Sequence, residues 1–281
     1  MENKFVRKAQ KIFHNHRKSL YQSIRAKKSQ QSILFIVGCQ RSGTTMMLHI
    51  FEGDLNTKCF AERSALTSND TARGIRLNAP ELIKRQLSRV RAPLIVIKPL
   101  VESQNTPALL DYFENSQAVW MFRNYKDVAL SNLKHFGINT GINDLRAIMN
   151  NDTKNWRAEK VSQHVRETIS KYFSEDMNPY DAAVLFWFAR NSLYFELNLQ
   201  ADPRVILCRY EDFVLAPEKH LRAIYQRVGQ VYPESSTTSI VHSNSRQKGK
   251  DIELSPAIEE LAQDMQKKLE MAYRAQAFQV Q

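Results

Sequence analysis

The chain has 281 residues, 43% of them hydrophobic and 10% aromatic, enough to bury a full core as one large α/β domain or two small ones. Its three cysteines, Cys39, Cys59 and Cys208, are too few and too scattered for a disulfide framework or a zinc knuckle, and no apolar run nears the length of a membrane span. The formal charge of +11 gathers at one end: nine of the 40 Lys and Arg fall within residues 1–28, beside Glu2 alone, so the body is only mildly basic.

The basic arm, residues 1–30, spaces Phe5, Ile12, Phe13, Leu20, Tyr21 and Ile24 in a loosely helical way. A helix packed on the body, a weak contact with an anionic surface or partner, and a mobile arm all remain open for it. No nucleic-acid-reading module accompanies the charge, so no nucleic-acid partner is expected. The N-terminus carries no apolar signal segment, and the cytoplasm is the expected compartment.

Ile33-Leu-Phe-Ile-Val37 predicts a buried strand that breaks at Gly38 into a polar turn. After Thr45 the apolar spacing becomes helical, through Met46, Met47, Leu48, Ile50 and Phe51. A strand, a glycine-containing turn and a helix point several backbone N–H groups at a phosphate. The Gly38–Gly43 spacing is that of the nucleotide-triphosphate loop, GxxxxGK[ST], but Thr44 stands where that pattern needs Lys. The ammonium that reaches the terminal phosphates of ATP is gone, so the turn reads as a phosphate cradle and not as an ATPase.

Residues 57–60 predict a second, short strand with Glu62 just beyond it. Glu62 is either a surface carboxylate or a lining residue of the crevice that α/β sheets form at their strand ends. Residues 64–92 give few signals beyond a short helix opened by Pro80. Residues 94–98 predict a parallel, buried strand stopped by Pro99, and Lys98 either snorkels there or reaches an anion held by the first loop.

Residues 118–122 predict the next strand, then a charged turn, then a helix with Asp127 in its first turn. Arg123 leaves the strand and Ser131 lies eight residues on, so a guanidinium and a hydroxyl can converge on a second phosphate. Residues 134–178 read as an insertion over the sheet edge that helps form an acceptor pocket, with turn formers first and a charged helix near 158–173. Val184, Trp187, Phe188, Asn191, Tyr194 and Phe195 predict a core helix. A last strand at 204–208 ends on a charged run from Arg209 to Asp212, followed by a helix at 218–228. Ser243, Ser245, Arg246, Lys248, Gly249 and Lys250 make either a solvated loop or a lid over an anion, and a final helix runs from Pro256 to about residue 274.

Five predicted strands separated by helices give one α/β domain, residues 31–281, with a mostly parallel central sheet flanked by helices, a P-loop-like turn and a helical insertion. Arg41-Ser-Gly-Thr-Thr45 after a strand, with Arg123 and Ser131 after a later one, resembles the paired phosphate elements of the sulfotransferases that use 3′-phosphoadenosine 5′-phosphosulfate (PAPS). The resemblance covers roughly residues 33–270. It implies that Gln40, Arg41, Ser42, Gly43, Thr44 and Thr45 hold the 5′-phosphosulfate. Arg123 and Ser131 would hold the 3′-phosphate, with Tyr210, Ser245, Lys248 and Gly249 completing the donor site.

The cytosolic aryl and steroid branch of that family has Lys where this chain has Arg41, and Lys-Thr-His where it has Lys98-Pro99-Leu100. The tyrosylprotein and carbohydrate branches look closer, with a Glu at the place of Glu62, and the Tyr210-Glu211-Asp212 run is similar to the bacterial and tyrosylprotein branches. The family's Gly-x-x-Gly-x-Trp is absent, so residues 243–250 would have to supply those donors. By the resemblance Glu62 takes the acceptor proton while Arg41 and Lys98 stabilise the leaving phosphate, with PAP as product and no metal. The expected acceptor is a hydroxyl on a glycan, a lipid-linked alcohol or a small-molecule alcohol, with the mildly basic body giving slight weight to a glycan or an anionic small molecule, and self-association stays open. A nucleotide kinase and a non-catalytic nucleotide-binding scaffold are the rival readings.

Overall fold

The computed structural model describes residues 16–18, 20–22, 31–70, 74–233, 238, 241 and 248–278. Most of the basic arm, and Ser243, Ser245 and Arg246 of the predicted lid, lie outside the described residues.

Five strands form one all-parallel sheet: β1 (Ser32–Gly38), β2 (Thr57–Phe60), β5 (Leu94–Ile97), β6 (Ser116–Phe122) and β7 (Val205–Arg209), in the spatial order β2-β5-β1-β6-β7. The register sets Phe35 opposite Ile97 on one side and Ala118 on the other, which places β1 at the centre. Every residue of β1 is buried, as expected of a parallel strand covered on both faces. Alternation along it feeds two cores. Ile33, Phe35 and Val37 pack with Trp187 and Tyr194, while Leu34 and Ile36 pack with Met47, Phe51 and Tyr225.

The helices supply the outer layers. On the second face lie α1 (Thr44–Gly53) and α9 (Pro217–Arg227). On the first are α3 (Thr106–Tyr112), α4 (Tyr125–Phe136), α5 (Thr140–Met149), α6 (Gln163–Ser170), α7 (Pro179–Glu196) and α10 (Pro256–Phe278). The aromatic-rich α7 is buried through most of its length, the predicted core helix. No helix among the described residues is long and apolar enough to cross a membrane.

Several elements depart from the sequence expectations. β3 (Thr67–Asp70) and β4 (Gly74–Leu77), two short and mostly polar segments, pair antiparallel and are followed by α2 (Pro80–Leu87). A 3₁₀ turn, Leu100–Asn105, precedes α3. The charged helix expected near 158–173 is only α6: Lys160 adopts φ 59°, and the Ser162 hydroxyl caps the helix by accepting from the Val165 N–H at 3.2 Å. After β7 the chain turns at once into α8 (Tyr210–Leu215), and α10 runs to Phe278.

The described part of the arm, helical at 16–18 and 20–22, docks on the body. Lys18 Nζ donates to the Glu52 carbonyl at 2.9 Å and to Thr57 Oγ1 at 3.0 Å, and Gln22 bonds the Leu55 and Thr57 carbonyls. A cation at the C-terminal carbonyls of α1 is the favourable end of that helix dipole.

Candidate active site

Each sheet strand delivers a polar residue at its carboxyl end, and all of them line one cleft of about 630 Å³. The turn after β1 brings Gln40, Arg41, Gly43, Thr44 and Thr45; β2 leads to Glu62, β5 to Lys98, β6 to Arg123 and β7 to Tyr210, while Ser131 reaches in from α4. Open parallel sheets bind ligands at this edge, where the strand ends diverge.

The turn is shaped by backbone. Arg41 adopts φ 65° and Gly43 φ 93°, both left-handed, and a Cβ on Gly43 would lie 2.5 Å from the Tyr210 ring. Only glycine combines that φ with that neighbour. Gly43 is also the N-cap of α1; among the described residues no side chain caps the helix, and its first turn holds no acid. The initial N–H groups lie at the positive end of the helix dipole, where an anion is favoured. The Ser42 hydroxyl is fully buried and does not line the cleft.

Cations surround this helix start. Lys98 Nζ lies 3.2 Å from Thr45 Oγ1 and 3.5 Å from the Glu62 carboxylate, so one ammonium joins the turn to the predicted base. Arg41 Nε donates to Ser131 Oγ at 3.0 Å. Arg123 stacks 4.3 Å over the Tyr210 ring, pairs with Asp127 at 3.2 Å and donates to the Arg41 carbonyl at 3.4 Å. Burial, and then the like charge of Arg123, pull the Arg41 pKa down. The charge of a bound anion would oppose both effects by favouring the charged guanidinium.

Three residues of the predicted lid are described, Lys248, Gly249 and Lys250. Gly249 N–H donates to Asp127 Oδ1 at 2.9 Å, tying the segment to the partner of Arg123, and a Cβ there would meet the Lys126 carbonyl at 2.5 Å. Lys248 is exposed and does not line the cleft.

The cleft also holds residues that the sequence reading did not single out: Arg63, Ile75, His135, Phe136, Asp144, Trp156 and Arg157. Gln40 links the two sets, donating from Nε2 to Asn132 Oδ1 at 2.9 Å and to Asp144 Oδ2 at 3.4 Å. Asp144 is buried, which raises its pKa against the opposing pull of Arg157. Cys39, beside this network, is fully buried and its thiol pKa is pushed up to about 12, which keeps it inert at neutral pH.

A family model described as the sulfotransferase domain matches residues 31–278, nearly the whole body. The chain belongs to the sulfotransferase domain family. The fold agrees. The structure resembles the sulfotransferase domain from the curacin biosynthetic pathway, with a TM-score of 0.56 and 16% identity, covering 86% of this chain and 99% of that one. It also resembles the sulfotransferase from Alicyclobacillus acidocaldarius, with a TM-score of 0.50 and 13% identity, over 88% of this chain and 96% of that one. A search of curated protein sequences finds no match. The cleft of this sulfotransferase domain has a cation-rich end and a second wall.

Proposed function

We propose that the protein transfers a sulfuryl group from PAPS to a hydroxyl acceptor, leaving PAP. The observation that carries this reading is the meeting of two cation sets at one uncapped helix start: Arg41 with Lys98, and Arg123 with Tyr210 and Ser131. Thr44 stands where an ATP-binding turn has Lys, so the turn itself offers N–H groups and hydroxyls.

The residues fit such a donor. Loop 40–45 and the first turn of α1 would hold the 5′-phosphosulfate, and Arg123 with Ser131 the 3′-phosphate, with Gly249 fixing Asp127 behind Arg123. When bound, PAPS supplies a sulfuryl group whose S–O bond to the 5′-phosphate breaks as the acceptor oxygen bonds to sulfur. Glu62 takes the acceptor proton, and Lys98 holds that carboxylate at the edge of the loop. Arg41, Lys98 and the loop N–H groups meet the negative charge that develops on the leaving oxygen. Segment 134–178, through Phe136, Asp144, Trp156 and Arg157, forms the acceptor wall.

Calorimetry with PAP, with ADP and with ATP plus Mg²⁺ tests the reading. PAP should bind without metal and at least about tenfold more tightly than ADP, the share of a charge-assisted contact to the 3′-phosphate. Arg123→Ala should erase that difference. Binding of Mg²⁺–ATP alone would overturn the assignment in favour of a phosphotransferase, and binding of no nucleotide would favour a scaffold.

A further inference from the structure

The cleft carries two guanidiniums beyond those assigned to the donor, and one of them is held in a built setting. Arg157 Nε is clamped by the carboxylate of Asp144, which is 2% exposed. Its guanidinium lies 4.6 Å over the Trp156 ring, and its backbone N–H bonds Asn155 Oδ1 at 3.2 Å. Trp156 is itself fixed: the fully buried Arg190 lies 5.1 Å over the same ring and donates to the Trp156 carbonyl at 3.2 Å and to Gln104 Oε1 at 3.1 Å. A buried carboxylate and an indole thus set the orientation of Arg157 in advance. One-third of the side chain stays exposed in the cleft, and Nη2 has no protein acceptor among the described residues.

Arg63 lines the same cleft, and it has no hydrogen bond or ion pair among the described residues. Neither residue belongs to the loop or to the Arg123 cluster, and the donor's charges already face Arg41, Lys98, Arg123 and the start of α1. A neutral alcohol would leave the free edge of Arg157 to water. An oxyanion would form charge-assisted bonds with a guanidinium whose ordering cost was met during folding.

Resting on the sulfotransferase reading above, we propose that the acceptor is an alcohol or phenol that also bears a carboxylate, and that Arg157 takes this carboxylate while the hydroxyl is presented to Glu62. Arg157 then determines acceptor specificity, Asp144 positions it, and Arg63 adds to the field at the entrance.

Matched acceptor pairs that differ by the carboxylate provide the test: glucuronate against glucose, N-acetyltyrosine against N-acetyltyramine, and 4-(hydroxymethyl)benzoate against 4-methylbenzyl alcohol. Each is titrated by calorimetry into the full chain saturated with PAP, and each is assayed for PAPS-dependent transfer. In at least one pair the carboxylate member should bind about tenfold or more tightly, the scale of one charge-assisted contact. Arg157→Ala should abolish that preference through KM while leaving PAP affinity unchanged, with a lower melting temperature because the buried Asp144 loses its partner, and Arg157→Lys should restore part of both. Asp144→Asn should weaken the preference without removing it. No preference in any pair, or a preference that survives Arg157→Ala, overturns the proposal. Failure of PAP to bind sinks the donor reading instead. The pairs are then titrated into the free protein, where the difference between wild type and Arg157→Ala still decides.

Discussion

Arg41 donates from Nε to the Ser131 hydroxyl at 3.0 Å, joining the two motifs across 90 residues of sequence. The bond orients the guanidinium across the mouth of the proposed donor site while its Nη groups stay free of that hydroxyl. Ser131→Ala should therefore weaken PAP binding on two counts, through the lost hydroxyl and through a loosened Arg41. A neutral hydrogen bond contributes about 1 kcal/mol, and one to a charged group about twice that, so a rise of roughly five- to thirtyfold in the PAP dissociation constant is expected. Calorimetry reads it directly, and an unchanged constant would remove Ser131 from the site.

Gly43 is held between a left-handed φ and the Tyr210 ring. Gly43→Ala would place a Cβ against that ring and push on the stacked Arg123. The loss of stability should be about 1–3 kcal/mol, together with a loss of donor binding. Gly229 offers the control: it too has a positive φ, 67°, but its Cβ direction is open. Gly229→Ala meets the backbone cost alone, so urea unfolding should show the Gly43 variant as the less stable of the two.

Lys98 sits between Thr45 and Glu62, which lets two substitutions be told apart. Glu62→Gln removes the proposed proton acceptor but leaves the cations, so kcat should fall by about 10²- to 10⁴-fold while PAP affinity holds. Lys98→Ala removes a charge facing the leaving phosphate and frees the carboxylate, so both kcat and PAP affinity should fall. Retention of full turnover by Glu62→Gln would move the base elsewhere in the cleft.

The sheet was legible because β1, β5, β6 and β7 are covered on both faces and read as unbroken apolar runs. The cation-rich end of the cleft was legible because polar residues that end such runs have only one place to point, the carboxyl edge. The opposite wall of the cleft was not. Asn139, Gly141, Asn143 and Asn150 look like turn formers, yet they sit in or around α5. Gly141 is there for packing: a Cβ would lie 2.6 Å from the Ala183 nitrogen, so it lets α5 press against α7. The β3–β4 hairpin is fixed by polar contacts, Arg76 to Glu102 at 2.6 Å and to Glu159 at 2.8 Å, and such long-range pairs leave no periodicity in sequence. Asp144 and Arg157 meet through the same kind of tertiary contact.

Glu211, next to Tyr210 in sequence, separates stability from function. Its Oε1 accepts the Asn124 N–H at 2.9 Å, where Asn124 caps α4, while Arg209 lies 3.5 Å from Oε2. Burial raises its pKa, and the backbone bond and the neighbouring arginines only partly oppose that. A carboxyl whose folded pKa lies above its unfolded value binds its proton more tightly in the folded state. Its contribution is thus fully present below the unfolded carboxylate pKa and is lost as pH rises through the folded value. Glu211→Gln keeps an oxygen for the Asn124 N–H and carries no charge to bury. The variant should match wild type in acid and exceed it at pH 7, as read by urea unfolding over a pH series, with PAP affinity unchanged. A variant less stable than wild type at pH 7 would mean that pairing with Arg209 outweighs desolvation, and that the ionised carboxylate is part of what holds β7 against the start of α4.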